Sequence, residues 1–340
     1  MRVTIKQISE EAEVSLTTVS NVINKRFHRV SKEKIALIES IIEKYNYTPN
    51  MNARSLVQSS SQLIGLLYYS DEPDLSFSDP FIAEILSGIN EQAKKAGYFV
   101  LVHNINSKED IKTIQKNWLF EGFIVVGVWG RQFVEINEVF DRPVVYIDTH
   151  LSKETLALVQ EQLDRSFVNT DDYAAGVLAV EHLIDYGHSN IAFLSFDYAF
   201  NEPSVIEERY RAYVDTLKKH DLRVAEEHIY TDHEFDRLLK DLSQFSAIVV
   251  TGDFLAARLF KYLRNRSEFS INTLSVVSFD DISFAELMDP PLTTVRLEQR
   301  NKGILAFEQL IALANDQEVE SHLLLLEGQL ISRKSVRKLE

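Results

Sequence analysis

Thr4-Ile-Lys-Gln-Ile-Ser-Glu-Glu-Ala-Glu-Val-Ser-Leu-Thr-Thr-Val-Ser-Asn-Val-Ile-Asn24 is the stretch on which the reading of this chain turns. Thr4 and Gln7 have the spacing of a capping box, in which each side chain satisfies the other end's free amide and starts a helix. Ile5, Ile8 and Ala12 then recur at helical spacing on one face. Glu13-Val14 reads as a tight turn, and Ser15 as the N-cap of a second helix running to Ile23, with Val19, Val22 and Ile23 inward. Leu16, Thr17, Ser20 and Asn21 are left outward. This is helix–turn–helix character, since small polar side chains near a helix N-terminus are what a recognition helix offers to base edges and phosphates. The same pattern would also serve a three-helix structural domain with solvated polar faces.

Downstream, residues 31–45 have the period of a third helix that should bury Ile35, Leu37, Ile38, Ile41 and Ile42. Tyr47-Thr-Pro-Asn50 reads as a turn, because Pro49 forces Thr48 to an extended backbone. Asn50 can cap a short helix, 51–57, carrying Ala53, Arg54 and Leu56, before the linker Gln58-Ser-Ser-Ser-Gln62. A helix this short is marginal alone in water. It should fold only against a partner, such as DNA and its twin in a dimer, where Leu56 is suited to wedge into the minor groove.

Charge divides the chain at the same place. Residues 1–60 hold nine Lys/Arg and six Asp/Glu, a net of +3; the remainder holds 27 and 45, a net of −18. DNA attracts the first part and repels the second, so the body is not the nucleic-acid surface. At 340 residues and 45% apolar, two or three domains with sizeable cores are expected. The absence of cysteine excludes disulfides, Cys-ligated zinc and thiol nucleophiles. The polar start Met1-Arg-Val-Thr-Ile-Lys6 has no signal-peptide core, and no apolar run approaches membrane length, so a cytoplasmic protein is expected.

After residue 62, short apolar runs alternate with helical patterns. Strands are predicted at 63–69, 98–103, 123–128 and 144–147, and in a second set at 167–169, 191–195, 247–251 and 274–279; helices include 81–96 and 173–186. Such alternation argues parallel sheets with right-handed crossovers, and two sets suggest two lobes. Ligands of such sheets bind at the carboxyl ends of the strands.

Taken together, Val14-Ser15…Thr18-Val19-Ser20…Val22-Ile23-Asn24, Tyr47-Thr-Pro-Asn50, Ala53-Arg-Ser-Leu56, Glu181-His-Leu-Ile-Asp-Tyr-Gly-His188, Val277-Ser-Phe-Asp-Asp281 and Pro290-Pro-Leu-Thr-Thr-Val295 make the chain resemble the lactose/galactose repressor (LacI/GalR) family of bacterial regulators over essentially its whole length. The resemblance implies an all-α helix–turn–helix DNA-binding head plus an α/β periplasmic-binding-protein-like body of two parallel-sheet lobes. It divides the chain into a head, 1–48; a hinge helix and linker, 49–62; a first lobe, 63–161 plus 293–320; and a second lobe, 162–292 plus 321–340. The expected DNA-binding residues are Thr4, Ser15, Leu16, Thr17, Thr18, Ser20, Asn21, Asn24, Asn50, Ala53, Arg54 and Leu56. The family's arginine after the recognition-helix serine is Asn21 here, and asparagine favours adenine where arginine favours guanine, so the family's operator preference does not transfer.

The resemblance also assigns an effector cleft between the lobes. Arg209, in Arg209-Tyr-Arg-Ala-Tyr213, matches the family's effector-binding arginine, Asp280 its aspartate, Asp148 a position lining the same cleft and Phe81 an aromatic at its mouth. Asp148, Asp253 and Asp280 each follow a predicted strand, where carboxylates can accept from sugar hydroxyls or simply cap the next helix. Arg209 could instead pair with Glu208 or Asp215 on its own helix. Tyr69 and Trp129 could stack on a sugar face or pack in the core. Two departures stand out: Gly252-Asp253 replaces the usual Asn-Asp pair, and Ala212 replaces a glycine.

No dinucleotide loop, Walker loop, Gly-x-Ser-x-Gly elbow or His-Glu-x-x-His is present, and no enzyme is expected. The expected partners are pseudo-palindromic operator DNA, a small-molecule effector of sugar type and a second copy of the chain, with no cofactor, metal or membrane. A dimer rather than a tetramer is expected, because no leucine-heptad tail follows Arg333-Lys-Ser-Val-Arg-Lys-Leu-Glu340. Rival readings are a regulator driven by a phosphorylated carrier protein and a cytoplasmic sugar-binding receptor.

Overall fold

The computed structural model describes residues 3–47, 60–70, 80–198, 201–266 and 273–339. It divides into two compact units, 1–62 and 63–340.

In the head, α1 (Ile5–Glu11), α2 (Leu16–Ile23) and α3 (Lys32–Lys44) surround a small core of Ile8, Ala12, Val19, Val22, Ile38 and Ile41. Thr4 and Gln7 form the expected capping box, and Ser15 caps α2 by accepting from the Thr18 amide at 3.1 Å. Glu13 turns the chain between the two helices in the left-handed region, at φ 49°. Leu37 is 46% exposed rather than buried. It lies roughly 100° around the helix from Ile38, off the apolar face.

The body contains two six-stranded sheets. Its elements in chain order begin with β1 (Leu63–Tyr69), α4 (Pro80–Ala96), β2 (Phe99–Ile105), α5 (Lys108–Asn117), β3 (Gly122–Val126), α6 (Gly130–Asn137), β4 (Val144–Ile147), α7 (Lys153–Gln160) and β5 (Arg165–Thr170). Next come α8 (Asp172–Asp185), β6 (Ile191–Ser195), α9 (Val205–Lys219), β7 (Ile229–Thr231), α10 (Phe235–Asp241), β8 (Ala247–Val250), α11 (Asp253–Arg264) and β9 (Ser275–Asp280). The chain closes with β10 (Thr293–Arg296), α12 (Gln299–Ala314), β11 (Leu323–Leu326) and β12 (Gln329–Ile331). The first sheet runs β11-β5-β4-β3-β1-β2, all parallel; the second runs β12-β10-β9-β8-β6-β7, parallel except for β12.

Helices cover both faces of each sheet, which is why the inner strands read as unbroken apolar runs. In the first lobe Ile64, Leu66, Ile124, Val126, Val145 and Ile147 pack with Ile82, Ile85, Ile89, Phe307 and Leu310 of α4 and α12. The alternate residues Leu67, Phe123, Val125, Val144 and Tyr146 pack with Ile111, Ile114, Phe133 and Ile136 of α5 and α6. This is the two-residue period of a strand seen from both sides.

The lobe boundaries expected from sequence are corrected. β5 belongs to the first sheet, β10 to the second and β11 to the first. Each crossing between lobes therefore comes one strand later than expected: after Thr170, after Arg296 and after Leu326. The expected division, implied by the family resemblance, placed each of these strands in the lobe that the chain enters next. Here a strand finishes one sheet, between β4 and β11 in the case of β5, before its successor enters the other lobe.

Candidate DNA-contacting helix and inter-lobe cleft

Leu16 and Thr17 at the start of α2 are exposed, while Thr18, Ser20, Asn21 and Asn24 are partly covered. Several of the expected contact residues have structural partners. Thr4 caps α1, the Ser15 and Thr18 hydroxyls lie 2.9 Å apart, and the Asn24 amide donates to the Ser20 carbonyl at 2.8 Å. Val19 and Val22 anchor the opposite face, so α2 presents one polar edge on a rigid support. Asn50, Ala53, Arg54 and Leu56 of the expected hinge lie outside the described residues.

In the body, the carboxyl ends of the strands bring together a buried charged cluster. β4 ends at Ile147, and Asp148 follows in the left-handed region (φ 52°), where its two oxygens accept from Lys302 Nζ of α12 at 2.7 and 2.6 Å. Lys302 has no exposed surface. Two residues beyond Asp148, His150 Nε2 lies 2.9 Å from Asp172 Oδ2 at the start of α8. Arg209, projecting from α9, donates Nε and Nη2 to Asp172 Oδ1 at 2.9 and 2.6 Å and Nη1 to the Thr251 carbonyl at 2.6 Å. Its guanidinium carbon lies 4.5 Å from the centre of the Phe279 ring, a cation–π arrangement. Asp280, at φ 108°, accepts from Gln299 Nε2 at 3.2 Å.

These groups set one another's charge. Burial alone would raise the Asp172 carboxyl, but Arg209 and His150 hold it below the ordinary carboxylate range. Burial works against a charged His150, yet Asp172, with Asp148 and Glu208 adding, leaves its pKa raised. Burial likewise opposes the Arg209 charge, and Asp172, Asp280 and Asp148 outweigh it.

Of the expected effector residues, Arg209, Asp148 and Asp280 therefore share one electrostatic neighbourhood. Arg209 pairs with neither Glu208 nor Asp215; those hydrogen-bond Arg211 and Tyr173. Asp253 is neither a helix cap nor an open ligand-binding group. Gly252 holds the N-cap position, while fully buried Asp253 accepts from Thr294 Oγ1 at 2.8 Å and the Ile282 amide at 3.1 Å. Burial pushes its carboxyl up to about 7. Tyr69 donates its hydroxyl to the Asn106 carbonyl at 3.0 Å, and Phe81 packs against the first-lobe core. Trp129, half-buried, precedes α6 without capping it.

Sequence reasoning missed His150, Asp172 and Lys302. Lys302 was detectable, because it shares a helix face with Ala306 and Leu310, a position where an unpaired lysine would be costly. Asp172 was detectable beside Asp171, because only one of two adjacent acids can cap. Asp171 does so, accepting from the Ala174 amide at 2.9 Å.

A helix–turn–helix head together with a two-lobed α/β body defines a DNA-binding regulator. Residues 4–50 match the lacI family of bacterial regulatory proteins, and residues 180–336 match a periplasmic binding protein-like domain. The head is a lacI-family helix–turn–helix domain, and the chain is a DNA-binding transcriptional repressor. It is 28% identical to a probable HTH-type transcriptional regulator, EndR, of Paenibacillus polymyxa, over 100% of both chains. It is 27% identical to the HTH-type transcriptional repressor PurR of Vibrio campbellii, and 27% to the probable HTH-type transcriptional repressor ExuR of Bacillus subtilis, each over 99% of both chains. The fold is that of the lac repressor dimer solved with operator and the anti-inducer ONPF, at TM-score 0.81 and 24% identity over 99% of this chain and 100% of that one. It is also that of the regulator CelR in complex with cellobiose, at TM-score 0.70 and 22% identity over 98% and 100%. Among the described residues no helix is long and apolar enough to cross a membrane.

Proposed function

We propose that this repressor works as a homodimer on the operator of a carbohydrate uptake or metabolism operon, and that a sugar bound between the two lobes controls it. On this reading α2 enters the major groove with Leu16, Thr17, Ser20 and Asn21 toward the bases, and the residues around Leu56 engage the minor groove. The protein acts in the cytoplasm by binding rather than by turnover. One observation carries the reading. Arg209, Asp148 and Asp280, drawn from both lobes and from the carboxyl ends of two parallel sheets, share one buried polar cluster. His150 reaches from the first lobe to Asp172 at the entrance to the second, so opening or closing the lobes would make or break charged contacts. Ligand-linked shifts of this kind typically amount to ~1–3 kcal/mol.

Sequencing sheared source-genome DNA retained by the purified protein, at ~0.1 M salt to weaken charge-only binding, tests the reading. A pseudo-palindrome beside sugar transport or metabolism genes is the expected result. No enrichment, alone or with a sugar panel or a phosphorylated carrier protein added, would overturn it. Enrichment only with the carrier would shift control to that partner.

A further inference from the structure

Asp172 has more charge than its contacts require. Both Arg209 bonds go to a single oxygen, Oδ1. An asparagine amide would offer that same oxygen to Arg209, and its nitrogen could donate to a neutral His150. Helix α8 does not need the carboxylate either, because Asp171 supplies the cap. What a carboxylate adds over an amide at this position is one negative charge, set against the one arginine of the cluster.

Around it the cleft is already balanced or acidic. Lys302 is closed onto Asp148, and Arg296 and Arg333 are closed onto Asp281. Asp148, Asp172 and Asp280 outnumber the permanent cations Arg209 and Lys302 by one. Protonated His150 at most balances the three carboxylates, so an anion entering here would meet a neutralised arginine and no net positive charge in a poorly screened interior. The strand ends do offer uncharged partners. Among the described residues, the buried hydroxyls of Thr149, Thr170, Ser195 and Thr251 and the side-chain oxygen of Gln299 have no hydrogen-bond partner. Buried polar atoms of this kind are normally satisfied, so they mark places for a ligand or water.

We propose that Asp172 is a charge filter. It occupies Arg209 so that the cleft accepts an uncharged polyhydroxylic effector and rejects one bearing a carboxylate or phosphate. The proposal rests on the reading that the effector binds at this cluster. Arg209 keeps its remaining N–H groups for neutral oxygens, and the unpartnered hydroxyls supply the other contacts.

The test follows the Arg209 side-chain Nε–H resonance in the full-length protein, identified by its loss in Arg209→Lys. Inorganic phosphate and D-glucuronate are added at matched ionic strength, with D-glucose as the neutral counterpart. In the wild type neither anion should move the resonance. In Asp172→Asn both should move it, with at least a ~10-fold gain in affinity, since the guanidinium keeps its bonds to the amide oxygen but loses its neutralising charge, and its remaining N–H groups can form charge-assisted bonds to such anions. A folded Asp172→Asn whose Arg209 signal ignores both anions would overturn the proposal. So would a wild-type signal that moves with phosphate, and that arm stands even if the variant does not fold. If the variant gains anion binding but no ligand alters DNA affinity, the filter survives and the effector reading falls.

Discussion

Gly88 and Gly303 bring α4 and α12 to backbone contact. A methyl group added at Gly88 would lie 2.0 Å from the Arg300 carbonyl oxygen, and one added at Gly303 would lie 2.2 Å from that of Ile85. The approach is reciprocal, and its consequence reaches the charged cluster at the strand ends. Lys302, which holds Asp148, is the residue before Gly303, and Gln299, which holds Asp280, lies one turn earlier. The depth at which α12 sits on α4 therefore fixes two of the cluster's polar contacts.

Gly303→Ala should force the two helices apart. The obstacle is backbone, which cannot rotate away, so a loss of at least ~1–3 kcal/mol is expected from overpacking. Urea denaturation of the full chain measures it. Unchanged stability would mean that the helices do not approach this closely.

Arg209→Ala should destabilise the body by ~3–5 kcal/mol, because it strands the buried Asp172 carboxylate. Asp172→Asn should cost less, since the accepting oxygen remains and Asp280 and Asp148 still offset the guanidinium charge. Equal losses in the two variants would contradict the hydrogen-bond geometry of this pair.

Stability should fall as pH rises from mildly acidic to mildly basic. His150 has a folded pKa raised above the ordinary 6.5. Its stabilisation is complete below that value and is lost as pH climbs through the raised one. Asp253, raised to about 7, acts in the same direction, because the native state binds its proton more tightly than the unfolded chain. Asp172, held low, acts oppositely, but only under acid conditions. Thermal denaturation between pH 6 and 8 should slope downward in the wild type and flatten in His150→Gln and in Asp253→Asn. A slope that both variants retain in full would show that other groups carry it.

In the head, Asn21→Ala should weaken binding to a selected duplex by ~1–3 kcal/mol and relax preference at one base position. The exposed Arg26 should behave differently if it meets phosphate. Arg26→Gln should weaken all duplexes alike and reduce the salt slope by about one. Fluorescence anisotropy across a salt series separates the two behaviours.

Much of this was legible in the sequence, and the failures have physical causes. β1, β4 and β6 were predicted with their observed limits because an apolar run bounded by polar residues leaves little freedom. The Thr4 and Ser15 caps were legible because capping is local chemistry. β7 was missed because three residues are too few to show a period, and β12 because it is a half-buried edge strand. Lobe membership was misjudged because it depends on which sheet edge is open, which no local window records. Arg209 was recognised as a site residue, but its partner lies 37 positions away on another helix, beyond any spacing rule. Asp253 looked like a ligand for the same reason: the groups that consume it, Thr294 and Ile282, come from the far side of β9.

The most direct measurement is the affinity of the full-length protein for a duplex recovered from the source genome, with and without the sugars implied by the neighbouring genes. Arg209→Lys is measured in parallel, with circular dichroism to establish that it folds. One neutral sugar should change wild-type affinity by about 5- to 150-fold and have little effect on the variant. An affinity that no sugar alters, or a response that survives loss of the arginine fork, would contradict control through this cleft.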